Sequence, residues 1–285
     1  MQVRTKWLLA ATACFLALLT TVCYSYYAIG IASYTLSFHT LPAAFNDFRI
    51  TQIADLHCRQ FGTDQQRLLS RVRRTDPDII VITGDLVDAR DFQPEPVLAL
   101  ARGLVTMAPV YIVTGNHEWL CSGWPALEKE LSAYGVILLH NRAVALTRPG
   151  GRIYLAGTDD PDRFSGHFRE RVVVFHQLET TVKDIPPGAF TILLAHRPEK
   201  LPVYAEFNIP LALTAHAHGG QVRLPFLGGL VAPHQGFFPR FTAGVYQHGR
   251  TRMVVSRGLG NALALPRIFN PPELVVVTLK HMPGK

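Results

Sequence analysis

The sequence predicts an α/β layered domain preceded by one transmembrane helix. Short, apolar, β-branched runs alternate along the chain with stretches of helical periodicity, which is typical of an α/β domain. The runs are continuously apolar, and such strands are usually covered on both faces by other layers. Near the N-terminus, residues 7–46 contain no Asp, Glu, Lys or Arg, which indicates a membrane helix.

The N-terminal apolar run is long enough to cross a bilayer. It extends from Leu8 to about Ser33, and a spanning helix needs about 20 apolar residues. A cleaved secretory signal is one alternative, because Arg4 and Lys6 resemble its basic region and small residues surround Ala32. The run is, however, longer than the usual apolar region of a signal. A buried core helix is a third alternative, but the run has no polar face.

The chain is therefore divided into an anchor over residues 1–34, a linker over 35–47 and one domain over 48–285. Arg4 and Lys6 precede the span, and Arg49 is the first basic residue after it. The positive-inside rule then favours a domain on the extracytoplasmic side of a bacterial inner membrane. Two charges are a small bias, and both orientations stay open.

Net charge and cysteine content exclude several kinds of partner. The net charge of +7 favours anions such as phosphorylated metabolites or lipid headgroups. The chain contains no block of Lys and Arg, no zinc-finger spacing and no aromatic RNA signature, so nucleic acid is not an expected partner. Cys58 and Cys121 are the only thiols after the anchor, and they match neither a zinc ribbon nor a disulfide framework.

The alternation defines predicted strands and helices in order. The predicted strands are residues 48–54, 78–83, 110–114, 135–140, 152–156, 191–195, 211–215, 253–256 and 274–279. Thr63 and Ser122 are suitable helix caps. The predicted helices are residues 63–74, 94–107, 122–134 and 167–183.

Residues able to bind metal follow these strands directly. Ligand sites of open α/β sheets form beyond the carboxyl ends of the strands. Imidazole and carboxylate together suit zinc, manganese or iron better than calcium, which prefers oxygen alone. The pattern predicts a two-metal hydrolytic centre, most naturally for a phosphate ester. The candidate ligands are Asp55, His57, Asp85, Asn116, His196, His216 and His218.

Each motif alone has a structural explanation. An Asp after a strand often caps a turn, which would explain Asp55 or Asp85. His216 and His218 are two residues apart, so in a strand they would face one side, and two glycines follow them. The ordered conjunction of five such motifs is what favours a metal centre.

The five motifs resemble those of the calcineurin-like metallophosphoesterases. The family pattern D-x-H, G-D-x-x-D, G-N-H-[DE], H and G-H-x-H is represented by "DLH", "GDLVD", "GNHE", "AHRP" and "AHAH". The resemblance implies a four-layer α/β/β/α sandwich with two mixed sheets and two divalent ions, manganese, iron or zinc. One ion would be held by Asp55, His57 and His218, the other by Asn116, His196 and His216, with Asp85 bridging them. Ala215 departs from the family pattern, which has glycine there.

Within "GNHE", His117 is the candidate catalytic residue. An imidazole titrates near neutral pH, so His117 could protonate the leaving oxygen. The alternative is a structural histidine that supports the ligands. Glu118 or Asp88 could orient His117 or its neighbours. The other histidines, including His140 and His234, match no ligand position and are expected to be ordinary surface or core residues.

Further segments look like the membrane-associated bacterial branch of the family. They are "AGTDDP", "HGGQ", "SRGLG" and "FNPPELVVVTL". That branch includes phosphodiesterases and UDP-2,3-diacylglucosamine pyrophosphatases of lipid A synthesis, so the resemblance implies a lipid-linked substrate and membrane association. Lipid A precursors are handled at the cytoplasmic face, which opposes the charge bias described above. Arg197, Gln221 and Arg223 are candidate contacts to the phosphorylated part of the substrate.

Residues 221–241 are rich in Phe, Leu, Pro and Gly. They would form either a packed loop or an apolar groove for acyl chains. We therefore expect hydrolysis of a phosphodiester or pyrophosphate bond in a phosphorylated lipid or nucleotide-lipid. A protein phosphatase or a soluble nucleotidase on the same fold is the first alternative. A non-catalytic, membrane-tethered scaffold is the second, and it would be expected to lack some of the ligands.

Overall fold

A computed structural model describes residues 2–163, 169–224, 226–261 and 265–283. The helices of this part are α1 Gln2–Tyr27, α2 Gln66–Arg73, α3 Pro94–Leu104, α4 Asn116–Leu120, α5 Trp124–Ala133, α6 Glu170–Val182 and α7 Leu201–Glu206. Its strands are β1 Gly30–Phe38, β2 Arg49–Ile53, β3 Ile79–Thr83, β4 Val110–Val113, β5 Ile137–Leu138, β6 Arg142–Arg148, β7 Gly151–Gly157, β8 Thr191–Leu194, β9 Leu211–Thr214, β10 Arg223–Leu224, β11 Gly228–Gly229, β12 Val231–Ala232, β13 Gly236–Phe237, β14 Gly244–His248, β15 Thr251–Val255 and β16 Glu273–His281.

Two six-stranded sheets form the centre of the domain. Their strand orders are β1-β16-β2-β3-β4-β5 and β14-β15-β9-β8-β7-β6. Each sheet contains both parallel and antiparallel strand pairs. The antiparallel pairs are β16 with β2 in the first sheet, and β14 with β15 and β6 with β7 in the second. The prediction of two mixed sheets is confirmed.

The two sheets face each other across one apolar core and carry helices on their outer faces. Ile50 of β2 and Ile192 of β8 belong to this central core. On the outer face of the first sheet, α2, α3 and α5 pack through residues such as Leu68. On the outer face of the second sheet, α6 and α7 pack through residues such as Leu178. The strands are thus covered on both faces, as their continuous apolarity predicts, and the α/β/β/α sandwich is confirmed.

The strand β1 was not predicted. It runs parallel to β16 over nine residues, from Gly30 against Glu273 to Phe38 against His281. An edge strand of the first sheet therefore covers the end of the predicted anchor, residues 1–34, and the start of the predicted linker, residues 35–47. The alternating exposure of β1 distinguishes it from a membrane segment. The sequence did not indicate where the membrane helix ends and β1 begins, because neither segment contains a charged residue after Lys6.

The N-terminal helix α1 has the length and composition of a membrane span. Within Arg4–Tyr27, an 18-residue window has a mean hydropathy of 1.9 and is almost entirely exposed. At the end of the helix, the guanidinium of Arg59 donates to the Tyr26 carbonyl, and that of Arg67 donates to the Tyr27 carbonyl at 2.6 Å. Cations at the last carbonyls of a helix are favourable. The domain therefore holds the end of α1 directly.

Most differences from the predicted elements lie at exposed edges. The predicted strand 135–140 shortens to β5, and β6 and β14 were missed because their side chains are largely exposed. The short helices α4 and α7 were missed as well. The predicted start of the fourth helix at His167 lies outside the described residues, and α6 begins at Glu170.

Candidate metal centre

The candidate ligands lie at the carboxyl ends of five strands from both sheets. Asp55 and His57 follow β2, Asp85 follows β3 and Asn116 follows β4. The remaining three histidines follow β8 and β9. The sheets are joined here by Gln52, whose Nε2 donates to the Thr214 carbonyl at 2.8 Å. The fold therefore brings all seven candidates to one edge, where ligand sites of such sheets form.

The backbone is left-handed at most of these residues. Asp55, His57, Asp85, His216 and His218 have φ values between 45° and 63°. Such a conformation is uncommon for residues other than glycine and is concentrated at functional sites. The left-handed conformation at five neighbouring polar residues indicates that the placement of their side chains outweighs the conformational cost to the backbone.

The first cluster of potential ligand atoms combines Asp85 with residues after β2 and β9. Nε2 of His57 lies 3.3 Å from Nε2 of His218 and 3.8 Å from Oδ2 of Asp85. Asp55 completes the cluster, in which the ligand atoms lie within 4.8 Å of one another. Oδ2 of Asp55 is buried and has no hydrogen-bond partner among the described residues. A buried carboxylate oxygen in this state fits a cation.

The second cluster shares Asp85 with the first. Nε2 of His196 lies 3.2 Å from Oδ2 of Asp85 and 2.9 Å from Nδ1 of His216. Nδ1 of His196 donates to the Thr83 carbonyl at 2.8 Å, which leaves Nε2 free to act as a ligand. After β4, Oδ1 of Asn116 is buried without a hydrogen-bond partner in the described part of the chain. The donor set therefore fits two divalent cations with Asp85 between them.

The electrostatics of the buried site favour cation binding. Burial lowers the pKa of His57 to about 4 and lowers the pKa values of His216 and His218 well below the usual range. These rings are therefore neutral, as ligands must be. Burial acts in the same direction on His196, but Asp85 and Asp55 outweigh it and raise the pKa to about 10. The carboxylates thus create a negative potential that stabilises a positive charge between them.

Comparison with known proteins decides the family. Residues 48–220 match the family described as calcineurin-like phosphoesterase. The chain belongs to this family. It is 30% identical to the uncharacterized metallophosphoesterase YkuE of Bacillus subtilis, with 88% of this chain and 86% of YkuE covered. The family membership confirms the predicted enzyme class, a metal-dependent phosphoesterase.

Two further relatives have informative names. A Bos taurus protein named transmembrane protein with metallophosphoesterase domain is 31% identical, and the match covers 86% of this chain. This chain spans only 56% of that longer protein. The phosphodiesterase YaeI of Escherichia coli is 25% identical, with 81% of this chain and 82% of YaeI covered.

His117 lies at the edge of the phosphoesterase centre. Its ring packs edge-on against His57 with centroids 4.6 Å apart, and its backbone N–H donates to Oδ1 of Asp85 at 3.0 Å. The Ala89 N–H donates to Nδ1 of His117 at 3.1 Å. A neutral His117 ring must therefore carry its proton on Nε2. Asp88 lies beside the same Nδ1 at 3.6 Å.

Glu118 organises the backbone around Asp85. Its carboxylate accepts hydrogen bonds from the N–H groups of Asp85, Leu86, Val87 and Gly115 at 2.6–3.1 Å. Burial and the Asp85 charge raise the pKa of Glu118 to about 7, whereas the N–H donors of Gly115 and Val87 lower it. Glu118 thus fixes two ligand-bearing loops together, and no hydrogen bond joins it to the His117 ring in the described part of the chain.

Close backbone approach explains the glycines of this phosphoesterase site. Gly84 has φ 90°, and a Cβ there would lie 2.6 Å from Nδ1 of His196. Gly258 of the "SRGLG" segment has φ 70°, and a Cβ there would lie 2.5 Å from Oδ2 of Asp55. Ala215, by contrast, is buried without a left-handed backbone, so its methyl group is accommodated.

The structure adds two residues that the sequence did not indicate. Nδ1 of His234 lies 2.8 Å from Nε2 of His216, so this histidine borders the centre. Buried Arg267 lies 3.4 Å from Nδ1 of His218 and donates to the Gly260 carbonyl. No local motif marks either residue, because both reach the site through loops that lie outside its motifs.

The three predicted substrate contacts each form hydrogen bonds within the protein. Arg197 is buried, and its guanidinium forms a bidentate pair with Asp160 at 2.6 and 2.8 Å. These contacts compensate much of its charge internally, whereas Nη1 is buried and has no hydrogen-bond partner among the described residues. A phosphate contact at Arg197 stays a prediction. Gln221 donates to Asn261 at 2.6 Å, and Arg223 donates to the Gly219 carbonyl at 2.7 Å. Both residues brace the loop after His218.

Proposed function

We propose that the chain hydrolyses a phosphodiester or pyrophosphate bond in a lipid-linked substrate. The observation that carries the proposal is the sharing of Asp85 by two clusters of buried ligand atoms. Asp55, His57 and His218 would hold one divalent ion, and Asn116, His196 and His216 the other. Two such ions supply Lewis acidity, activate water and neutralise the charge of the phosphoryl group.

His117 is the proposed general acid. In the neutral ring Nδ1 accepts from the Ala89 N–H and Nε2 carries the only proton, so the ring acts as an acid once a second proton has replaced that hydrogen bond at Nδ1. Asp88 lies close enough to stabilise the protonated ring. His117 also contacts the Asp85 side chain through its own backbone N–H, which fixes its distance from the proposed ions.

Exposed apolar residues beside the centre support a lipid-linked substrate. The hairpins β10–β11 and β12–β13 follow His218 directly, and His234, between the strands of the second hairpin, contacts His216. Phe226, Phe237 and Phe238 are 107%, 82% and 68% exposed. Large exposed apolar side chains grouped at one place are typical of interaction sites. Acyl chains could lie on this surface while the phosphoryl group reaches the ions.

Membrane attachment by α1 is part of the proposal. The small residues considered as a cleavage site near Ala32 lie inside β1, where Ala32 pairs with Val275. Retention of the helix is therefore consistent with a complete first sheet. A relative named transmembrane protein with metallophosphoesterase domain also supports membrane attachment. Attachment to a bacterial inner membrane stays a proposal, in which the charge bias favours the extracytoplasmic side for the domain and a lipid A precursor favours the cytoplasmic side.

A phosphodiesterase among the relatives supports diester chemistry over monoester chemistry. A protein phosphatase or a soluble nucleotidase would use the same ions and the same strand ends. These alternatives differ from our proposal in the need for an apolar part of the substrate. The exposed hairpins favour the lipid-linked class.

The test is hydrolysis by the detergent-solubilised full-length chain reconstituted with manganese. UDP-2,3-diacylglucosamine would be compared with UDP-N-acetylglucosamine, which lacks the acyl chains, and with a phosphopeptide. We expect kcat/KM to be at least about tenfold higher for the acylated substrate, because more than 1.4 kcal/mol of apolar binding is available. Equal hydrolysis of the two UDP compounds would contradict the lipid-linked class while leaving the phosphoesterase itself intact.

A further inference from the structure

A basic groove lies where α1 meets the domain. It has a volume of about 630 Å³ and separates the end of α1, at Tyr24, from one face of α2. Arg67, Arg71 and Arg74 line the groove. These residues are spaced by four and three positions, so they share one side of the helix. The groove shares no residue with the candidate metal centre.

The groove has an uncompensated positive charge. Its wall contains three arginines and, in the described part of the chain, no Asp or Glu. Arg67 is held by its hydrogen bond to the Tyr27 carbonyl. Arg71 and Arg74 are exposed, and neither forms an ion pair with any described residue. Like charges four residues apart destabilise a helix, and an anion between them would offset this repulsion.

The position of the groove indicates where the anion comes from. The apolar helix ends at Tyr27, and Tyr24, Tyr26 and Tyr27 form a group of mostly exposed rings at this end. Tyrosines at the end of a spanning helix lie at the level of the lipid headgroups. The groove, which includes Tyr24, would therefore face the phosphate layer of the leaflet. Ile31, which also lines it and is 40% exposed, adds apolar surface for the adjoining acyl region.

We propose that this groove binds the phosphate headgroup of an anionic membrane lipid. The inference rests on the proposed membrane attachment of α1, but it requires no particular substrate at the metal centre. Clusters of basic residues next to a membrane span attract anionic lipids, because the lipid headgroups carry a negative charge. The bound lipid would fix the rotation of the domain against the membrane, since one wall of the groove belongs to the anchor and the other to the domain.

The experiment uses the full-length chain in neutral detergent micelles and an acyl-labelled phosphatidylglycerol, whose binding is followed by fluorescence anisotropy. Phosphatidylcholine with the same label is the neutral lipid. We expect the double variant Arg71→Gln/Arg74→Gln to bind phosphatidylglycerol about 30-fold more weakly than the wild type, because each arginine near the headgroups contributes roughly fivefold. Binding of phosphatidylcholine should be weaker than that of phosphatidylglycerol and equal in both proteins.

Arg73→Gln is the matched control. Arg73 lies on the same helix but lines a separate cavity with Asp76 and Pro77, so its loss should leave lipid binding unchanged. Inorganic phosphate and glycerol 3-phosphate at millimolar concentration should not displace the lipid. Effective displacement would show that the groove binds a soluble phosphate. If Arg73→Gln lost as much affinity for phosphatidylglycerol as the double variant, the binding would depend only on the net charge of the protein. Either result overturns the proposal.

The experiment distinguishes an error in the proposed membrane attachment from an error in the proposed lipid binding by the groove. If the wild-type chain does not fractionate with membranes, the proposed attachment is wrong. If it does so but binds both lipids equally, only the groove proposal is wrong. Each variant should hydrolyse bis(p-nitrophenyl) phosphate at the wild-type rate, which checks that it is folded.

Discussion

Oδ2 of Asp85 lies 3.2 Å from Nε2 of His196. The same carboxylate belongs to the cluster containing His57 and to the cluster containing His216. One side chain therefore connects ligands from both sheets. This arrangement makes Asp85 the residue on which both proposed metal positions depend.

Replacing Asp85 with Asn should remove most of the activity and much of the bound metal. The amide keeps the shape of the side chain but loses the negative charge that two cations share. We expect kcat/KM to fall by more than about 100-fold, which is the upper effect of losing a residue that only supports a ligand. Metal content would be measured by mass spectrometry after dialysis. A variant that retained two ions and wild-type turnover would exclude the shared-ligand arrangement.

His117→Asn should reduce turnover without releasing metal. In our proposal His117 protonates the leaving oxygen, and general acids contribute roughly 10²–10⁴-fold. A p-nitrophenolate leaving group needs little protonation, so the variant should lose far less activity on this ester than on an alkyl ester. The ratio of kcat/KM for the two esters measures the effect. Equal losses on both substrates would assign His117 a purely structural role.

Local patterns in the sequence predicted the α/β layers and the candidate ligands, and the resemblance to the family implied the four-layer sandwich. A buried strand such as Ile79–Thr83 is continuously apolar, and Asp85 follows it within two residues. The sequence could not predict β1, since pairing with Glu273–His281 joins segments at opposite ends of the chain. His234 and Arg267 lie much closer in the chain to His216 and His218, but their contacts with these residues arise from loop packing rather than from a motif, so the sequence did not indicate them.

The pairing of Arg197 was beyond sequence reasoning for a further reason. Proximity to His196 in the chain suggested a phosphate contact, whereas the side chain turns inward to Asp160. Arg197→Met should therefore destabilise the fold by about 3–5 kcal/mol, because it leaves a buried carboxylate without its partner. Urea unfolding measures this change.

Arg171→Met provides the control for Arg197. Arg171 pairs with Glu206 at 2.6 Å, but both side chains are well exposed, so the loss should be at most about 1 kcal/mol. KM of folded Arg197→Met for a diester should be close to that of the wild type. A raised KM at unchanged stability would support the substrate-contact hypothesis.

His140 should make stability depend on pH. Its Nδ1 lies 2.7 Å from Asp159, and this hydrogen bond raises the pKa of His140 above its usual value of 6.5. The stabilisation is complete below about pH 6.5 and is lost as pH rises through the folded-state value. The difference in unfolding free energy between the wild type and His140→Gln should therefore shrink from about pH 6 to about pH 9. His176→Gln, at an exposed pair with Glu179, should change stability by less than about 0.5 kcal/mol throughout.

Gly258→Ala should weaken metal binding, and Gly249→Ala should not. Both glycines have left-handed backbones, with φ values of 70° and 56°, so each alanine incurs a similar conformational cost of about 1–2 kcal/mol. Only at Gly258 would the new methyl group meet Oδ2 of Asp55, whereas nothing lies within 4 Å of the one at Gly249. We expect manganese affinity, measured by calorimetry, to fall about 10–100-fold for Gly258→Ala alone. Equal affinities for the two variants would mean that Asp55 can move aside without loss, and its proposed place in the first metal position would then be wrong.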